Sequence, residues 1–185
     1  MPCFGTTMRT KSNAEKLSIA YGADFSQVDI TKAVKQHFID IGQDENKLDT
    51  TFENAQARQR TLVLMDIANK VGALVVGTGD LSELALGWAT YNGDHMSMYA
   101  VNASVPKTMV RHLVKYETQL VPNEIGCIIN DILDTPVSPE LLPPDKNGEI
   151  SQVTEDVVGP YELHDFFLYY FVRYGFTPEK IFYMA

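Results

Sequence analysis

Cysteine is scarce in this chain of 185 residues, and the two that occur, Cys3 and Cys127, lie far apart in the sequence. Neither belongs to a CxxC pair or to a cluster with histidine, so the sequence predicts neither a disulfide framework nor a structural zinc site. The four histidines show no metal-ligand spacing either. This use of cysteine is typical of a cytoplasmic protein, and we expect that location.

The sequence also has few positively charged residues and no long apolar run. No stretch approaches the ~20 apolar residues that span a bilayer, and residues 1–16 contain no apolar signal core. Fifteen Lys and Arg residues stand against 24 Asp and Glu, a net charge of -9, so the overall field should repel nucleic acid and anionic membranes. With 45% apolar and 21% charged residues, the composition favours one folded globular domain that binds neither of them.

What the chain does contain is a series of helical patterns with capping signals. Ser12 could cap the first helix, Gly42 is a typical stop for the second, and Thr50 with Glu53 three residues later suggests a capping box for the third. Pro106 occupies a natural first helical position. Helices are expected over residues 12–21, 31 to Gly42, 50–70, 106–119, 122–132, 161–173 and 178–184, the last two being rich in aromatic residues.

Short apolar segments between these helices predict strands. The segment 25–30 is typical of a strand, the continuous apolar run 73–77 favours a strand covered on both faces, and 98–102 favours another. Strands that alternate with helices indicate a parallel sheet of the α/β class. Residues 134–156 hold four prolines among polar residues and are expected to form a loop.

The most informative stretch is VVGTGDLSELALGWATYNGD, which joins the strand at 73–77 to a helix. Ligands of open α/β sheets bind outside the carboxyl ends of the strands. Gly77 and Gly79 would let a ligand approach the backbone, Thr78 offers a hydroxyl, and the following helix start favours an anion. On spacing alone, Asp80 and Glu83 could instead form a capping box.

Three other features are candidates for binding. Asn54 and Arg58 lie four residues apart on one helix face and could grip a shared polar group, or could belong to a solvated surface. Lys107 lies near a helix start, where a cation is unfavourable unless an anion compensates, and this hints at phosphate. A lysine on a solvated first turn remains the alternative. Trp88 and Tyr91 could stack on a planar ring or pack in the core.

Five strings in the chain strongly resemble the synthetase domain of glutamine-dependent NAD synthetases. They are MPCFGTT, FENAQARQR, VVGTGDLSELALGWATYNGD, VNASVPKT and VGPYELHDFFLYY. The resemblance implies a Rossmann-like parallel sheet with flanking helices, of the adenine nucleotide alpha hydrolase-like type. It also implies ATP-dependent amidation of deamido-NAD to NAD through an acyl adenylate, with ammonia or glutamine-derived ammonia and with release of AMP and pyrophosphate.

The resemblance assigns roles to individual positions. It implies that Thr78 and, on the proline-rich loop, Ser138 contact ATP, that Glu83 binds Mg²⁺, and that Lys107 lies at the phosphates. We expect Glu83 and Lys107 at opposite ends of a nucleotide-binding mouth. The positions that resemble deamido-NAD contacts are Asn54, Arg58, Trp88, Ala89, Thr90, Tyr91 and Lys180.

The chain departs from the pattern of this family, which also includes an amidase domain and a basic C-terminal segment, and is expected to be truncated at both ends. It contains no Ser-Gly-Gly string that ends in Asp-Ser, which in the family cradles pyrophosphate. Residues 1–185 are therefore expected to be a partial synthetase domain that lacks the first strands, leaves an unpaired apolar edge at 73–77 and is inactive alone. The alternative is a non-catalytic dinucleotide-binding or assembly module. The family also implies a homodimer or higher homo-oligomer.

Overall fold

Helices dominate the backbone in a computed structural model that describes residues 1–145 and 150–185. A π-helical turn, Tyr169–Arg173, continues the eighth helix. Within the described residues no helix is both long and apolar enough to cross a lipid bilayer. The helices are α1 (Met8–Ala20), α2 (Thr31–Ile41), α3 (Thr50–Val71), α4 (Leu81–Leu86), α5 (Lys107–Glu117), α6 (Asn123–Leu133), α7 (Thr154–Val158), α8 (Tyr161–Leu168) and α9 (Pro178–Phe182).

Two helices begin at capping residues other than those expected. The first starts after Thr7 rather than Ser12, because the Thr7 hydroxyl accepts the backbone N–H three residues further on. The third starts after Asp49 rather than Thr50, because the Asp49 carboxylate accepts two backbone N–H groups of the first turn. Helix α2 ends at Gly42, as predicted, with φ at 70° in the left-handed region.

The strands β1 (Val76–Gly77) and β2 (Tyr99–Ala100) form a parallel pair. Val76 lies opposite Tyr99, and Gly77 lies opposite Ala100. The connection between them contains α4, as the βαβ pattern of the sequence predicts. A parallel strand pair connected through a helix is consistent with a Rossmann-like α/β fold.

Two strand predictions are wrong in part. Residues 25–30 form no strand, because no described strand pairs with them, although the Ile30 N–H donates to the Pro2 carbonyl at 3.3 Å. The run 73–77 is not covered on both faces, since Leu74 is 71% exposed and Val76 58% exposed. Along β1 the described residues provide one partner strand, β2.

The apolar core lies between α2 and α3. Val34, Phe38 and Phe52 are each at most 2% exposed, and the ring centroids of Phe38 and Phe52 lie 5.4 Å apart. Phe4 packs its ring 5.1 Å from that of Phe52. The core therefore fixes α3, the helix that carries Asn54 and Arg58.

A second group of helices positions the end of β1. Helices α4, α5 and α8 pack against one another, and α4 follows β1 after a three-residue turn. The proline-rich segment runs without a helix from residue 135 to residue 145 and from 150 to the start of α7 at Thr154. Residues 146–149 of the predicted loop lie outside the described residues.

Candidate functional site

The turn from β1 into α4 brings the backbone close to a neighbouring loop. At Gly77 a Cβ atom would lie 2.7 Å from the Cβ of Ser97, too near for any larger residue without a shift of one segment. Thr78 follows with an exposed side chain, and Asp80 is 1% exposed at the start of α4. The glycine thus permits the close approach that the sequence predicted at this junction.

Asp80 and Glu83 do form the capping box that spacing alone left open. The Glu83 N–H donates to Asp80 Oδ1 at 3.0 Å, and the Asp80 N–H donates to Glu83 Oε2 at 3.3 Å. Each carboxylate uses one oxygen for the cap, so Asp80 Oδ2 and Glu83 Oε1 remain available for another partner.

Those two remaining oxygens contact the Lys107 ammonium. Lys107 Nζ lies 2.6 Å from Asp80 Oδ2 and 2.6 Å from Glu83 Oε1. The expectation that Glu83 and Lys107 lie at opposite ends of a mouth is therefore wrong. They are in direct contact, because α5 packs beside α4 with its first residue facing the α4 capping box.

This cluster, Asp80, Glu83 and Lys107, is shielded from water to different degrees. The side chain of Asp80 is 2% exposed, that of Lys107 15% and that of Glu83 27%. Burial acts to lower the pKa of Lys107, but the hydrogen bonds with Asp80 and Glu83 outweigh it and raise the pKa above its usual value. Lys107 is thus charged, and Glu83 is the most accessible of the three.

Helix α8 contributes a third carboxylate, Asp165, which is hydrogen-bonded to residues adjacent to this cluster. Asp165, 7% exposed, accepts hydrogen bonds from the Ser82 hydroxyl and from the Thr108 N–H, the latter at 2.8 Å. Ser82 in turn accepts the Lys107 N–H at 2.8 Å. Sequence reasoning missed Asp165 and Ser82, although Asp165 belongs to the VGPYELHDFFLYY string.

The ring of Tyr161 lies beneath Lys107, with its centroid 5.6 Å from Nζ. Burial raises the pKa of Tyr161 to about 12, and its hydroxyl has no hydrogen-bond partner among the described residues. Tyr161 therefore remains neutral and presents an aromatic face to the ammonium. Sequence reasoning assigned no role to this residue.

A second candidate area lies where α3 meets the segment after α4. Asn54 Oδ1 accepts the Thr90 hydroxyl at 2.8 Å. Asn54, Trp88, Ala89 and Thr90 also line one cavity of about 320 Å³, together with the loop residue Pro139 and others. Four of the seven positions predicted for dinucleotide binding are therefore brought together.

Arg58 and Tyr91 lie next to this cavity but outside its lining. The Arg58 Nε donates to the Tyr91 carbonyl at 3.0 Å, and the Tyr91 side chain is 75% exposed. In the ligand-free chain Arg58 thus holds the backbone of the 88–91 segment. The Tyr91 ring lies 6.1 Å from the ring of His95.

The two predicted ATP-contact hydroxyls line different cavities. Thr78 lines one of about 250 Å³ and Ser138 lines one of about 370 Å³, and both cavities share Met1, Arg60 and Pro139 in their walls. Neither lining includes Glu83 or Lys107. Thr78 and Ser138 therefore line two cavities that share part of a wall, and neither cavity is lined by Glu83 or Lys107.

Lys180 is not brought to either area. Its ammonium lies 3.3 Å from the ring centroid of Phe176, on the aromatic segment before α9. That contact is an intramolecular cation–π interaction at an exposed site.

Across residues 1–145 and 150–185, no group of three or more His, Cys, Asp or Glu side chains is arranged to hold a metal ion. A metal at the cluster would therefore depend on Glu83, with other ligands supplied from elsewhere. Mg²⁺ commonly binds in this way, through one or two carboxylates together with substrate phosphates and water. The Glu83 carboxylate is the least buried of the three charged groups, and an ion bound at its Oε1 would replace Lys107 Nζ there, because Oε2 accepts the Asp80 N–H.

Comparison with known proteins identifies a family. The NAD synthase family matches residues 1–183. The glutamine-dependent NAD(+) synthetases of Mycobacterium tuberculosis and Mycobacterium leprae are each 45% identical to the chain, over 100% and 98% of its length. In both cases the chain spans 28% of the length of the relative.

Solved structures share the fold. The ADP complex of glutamine-dependent NAD+ synthetase from Acinetobacter baumannii is 28% identical, with a TM-score of 0.61 over 100% of this chain and 31% of that one. NMN synthetase from Francisella tularensis has a TM-score of 0.72 over 90% of this chain and 63% of its own, at 24% identity. The second likeness concerns the fold alone.

Proposed function

We propose, from the premise that this chain belongs to the NAD synthase family, that it contributes to the ATP-dependent amidation of deamido-NAD. The nitrogen would come from ammonia or from glutamine-derived ammonia, and the products would be NAD, AMP and pyrophosphate. The carboxylate of deamido-NAD would attack the α-phosphorus of ATP, pyrophosphate would leave, and ammonia would then attack the resulting acyl adenylate.

The observation that carries this proposal is the cluster at the carboxyl end of β1. A half-buried lysine is held 2.6 Å from each of two carboxylates, directly after the glycine turn that ends the strand. This end of a parallel sheet is where ligands bind in open α/β folds. An ordinary surface lysine would not be buried beside two acids at that position.

In this proposal Lys107 contacts the phosphates of ATP, with Thr78 and Ser138 as further contacts. Lys107 Nζ would exchange one carboxylate contact for a phosphate oxygen and would neutralise charge that develops on the leaving pyrophosphate. Glu83 would hold Mg²⁺, which when bound supplies charge stabilisation to the phosphate oxygens. Asp80 would remain with Lys107 as the buried counter-ion.

Deamido-NAD is assigned to the cavity beside α3. Asn54 offers an amide, Trp88 offers a ring for stacking, and the 88–91 backbone forms part of the wall. Burial raises the pKa of Glu53, which also lines this cavity. We include Arg58, Tyr91 and Lys180 as dinucleotide contacts on the family resemblance, with Arg58 and Tyr91 already adjacent to the cavity.

Enzyme assays test the proposal directly. NAD formation from deamido-NAD, ATP and ammonia is measured for this chain and for a version extended upstream to the length of its relatives. We expect turnover in the extended version and none detectable in the chain alone. In the extended version Glu83→Gln and Lys107→Met should each lower kcat by at least about a hundredfold, as is typical when a group that stabilises transition-state charge is removed.

A matched control is Glu162→Gln, which removes an exposed carboxylate from α8 and should leave turnover unchanged. Turnover that is insensitive to both Glu83→Gln and Lys107→Met would contradict the assigned roles. A non-catalytic module, the alternative function, predicts no turnover in either version.

Dinucleotide binding is tested separately by calorimetry of this chain with deamido-NAD. We expect weak binding that is lost in Asn54→Ala. An absence of heat at millimolar ligand would reject the site. A cytoplasmic location, expected from the cysteine usage, and a homodimer or higher homo-oligomer, expected from the family resemblance, complete the proposal.

A further inference from the structure

Helix α8 carries a buried carboxylate that links α4 to α5. One oxygen of Asp165 accepts the Ser82 hydroxyl from α4, and the other accepts the Thr108 N–H of α5 at 2.8 Å. Ser82, which is 0% exposed, also accepts the Lys107 N–H at 2.8 Å. Both oxygens of Asp165 are thus used, and each serves a different helix.

These contacts compensate for a missing helix cap. The residue before α5 is Pro106, and its side chain makes no capping hydrogen bond. The first backbone N–H groups of a helix have no partner within it and need an acceptor from elsewhere. Ser82 accepts the first of these groups and Asp165 the second, so α5 begins where α4 and α8 place it.

The linked residues are sequence neighbours of the cluster. Ser82 directly precedes Glu83, and Thr108 directly follows Lys107. A shift of either contact would therefore move a member of the ion pair. Helix α8 adds a second constraint, because the Tyr161 ring lies beneath the Lys107 ammonium, 5.6 Å from Nζ.

We infer that Asp165 is a positioning residue, which through Ser82 and the Thr108 N–H holds the Lys107 ammonium against Asp80 and Glu83 before any ligand binds. The inference deepens the proposed function and rests on it for the claim that this position serves phosphate binding. It can be tested in the ligand-free chain, where no nucleotide is required.

The test measures how fast Lys107 is methylated by formaldehyde and a borane reductant, read by peptide mass spectrometry and divided by the rate at Lys70. Lys70 is exposed near the end of α3, so the ratio cancels differences in reagent concentration. Loss of one charged hydrogen bond corresponds to a change of about tenfold or more in an equilibrium constant, here that between the paired and the free ammonium. Asp165→Asn should therefore raise the ratio by about tenfold.

Asp165→Asn keeps the size of the side chain but replaces one acceptor oxygen with an NH2 donor, so the Ser82 hydroxyl and the Thr108 N–H can no longer both be accepted. Glu162→Gln is the matched control, since it removes an exposed charge from the same helix and should leave the ratio unchanged. Far-ultraviolet circular dichroism confirms that each variant is folded.

Ser82→Ala removes the same link from the other side and carries the test if Asp165→Asn does not fold. The methylation ratio of Ser82→Ala should also rise. The ratio of the double variant should be no higher than that of the more affected single variant, because both substitutions break the same chain of contacts. Methylation ratios within about twofold of the ratio in the unchanged chain, in both single variants, would overturn the inference, because a change of that size is no more than a weak exposed contact produces.

A separate arm addresses the phosphate role. Magnesium and ATP added to the unchanged chain should slow methylation of Lys107 relative to Lys70. If they do not, Lys107 does not contact phosphate in this chain and the proposed function fails there, whereas the positioning role of Asp165 is decided by the ligand-free ratios.

Discussion

Replacement of Lys107 by methionine should destabilise the chain more than its partial exposure suggests. The substitution leaves the Asp80 carboxylate, whose side chain is 2% exposed, without its cation. Removing one partner of a buried ion pair costs about 3–5 kcal/mol. Asp80 keeps the hydrogen bond from the Glu83 N–H, so we expect the lower end of that range, about 3 kcal/mol.

Two comparisons separate this cause from a loss of packing. Glu83→Gln removes the more exposed partner, keeps the capping geometry and leaves Asp80 paired with Lys107, so it should cost about 1 kcal/mol or less. Asp80→Asn combined with Lys107→Met removes the unpaired buried charge and retains a good capping residue. That double variant should recover about 1–2 kcal/mol relative to Lys107→Met alone.

Urea unfolding, followed by circular dichroism at constant m value, measures these free energies. The reasoning is refuted if Lys107→Met costs no more than Glu83→Gln and the Asp80→Asn change brings no recovery. Such a result would mean that water or other groups already solvate the Asp80 carboxylate.

Three further predictions concern the scaffold. Hydrogen bonds from Arg9 hold the pKa of Asp131 at about 2, below its usual 3.8. Their contribution to stability is therefore present above pH 3.8 and is lost as pH falls toward 2. In Asp131→Asn the urea midpoint should depend less on pH between 3.8 and 2. Gly77→Ala should lower the free energy of unfolding by about 1–3 kcal/mol and lower the thermal midpoint, because the added methyl group would overlap the Ser97 side chain. An unchanged midpoint would show that the loop around Ser97 moves aside at no cost. Asp49→Ala should lower the urea midpoint because two backbone N–H groups lose their acceptor, and Asp49→Asn, which retains a capping oxygen, should change the midpoint little.

Local patterns predicted the local features of the site well. The run from Val75 to Asp80 predicted a strand, a glycine turn and a helix start, and these are adjacent along the chain. The capping box of Asp80 and Glu83 depends on a spacing of three residues, which the sequence displays directly. The unfavourable position of Lys107 at a helix start hinted at phosphate, whereas the anions that the structure places there are two carboxylates of the chain itself.

Contacts between distant segments could not be predicted in this way. Asp165 meets Ser82 across 83 residues of sequence and Thr108 across 57, and no periodicity encodes such a pairing. The same limit explains the error at 25–30, where an extended apolar segment has no strand to pair with among the described residues. A ladder requires a partner, and strand preference depends strongly on that context.

The most direct measurement is calorimetric titration of ATP with magnesium into the chain, its Glu83→Gln and Lys107→Met variants and the Glu162→Gln control. We expect binding to weaken by about tenfold or more in the first two variants, because each loses a charged contact, and to stay unchanged in the control. Equal affinity in all four proteins would contradict the claim that Glu83 and Lys107 form the phosphate and magnesium site.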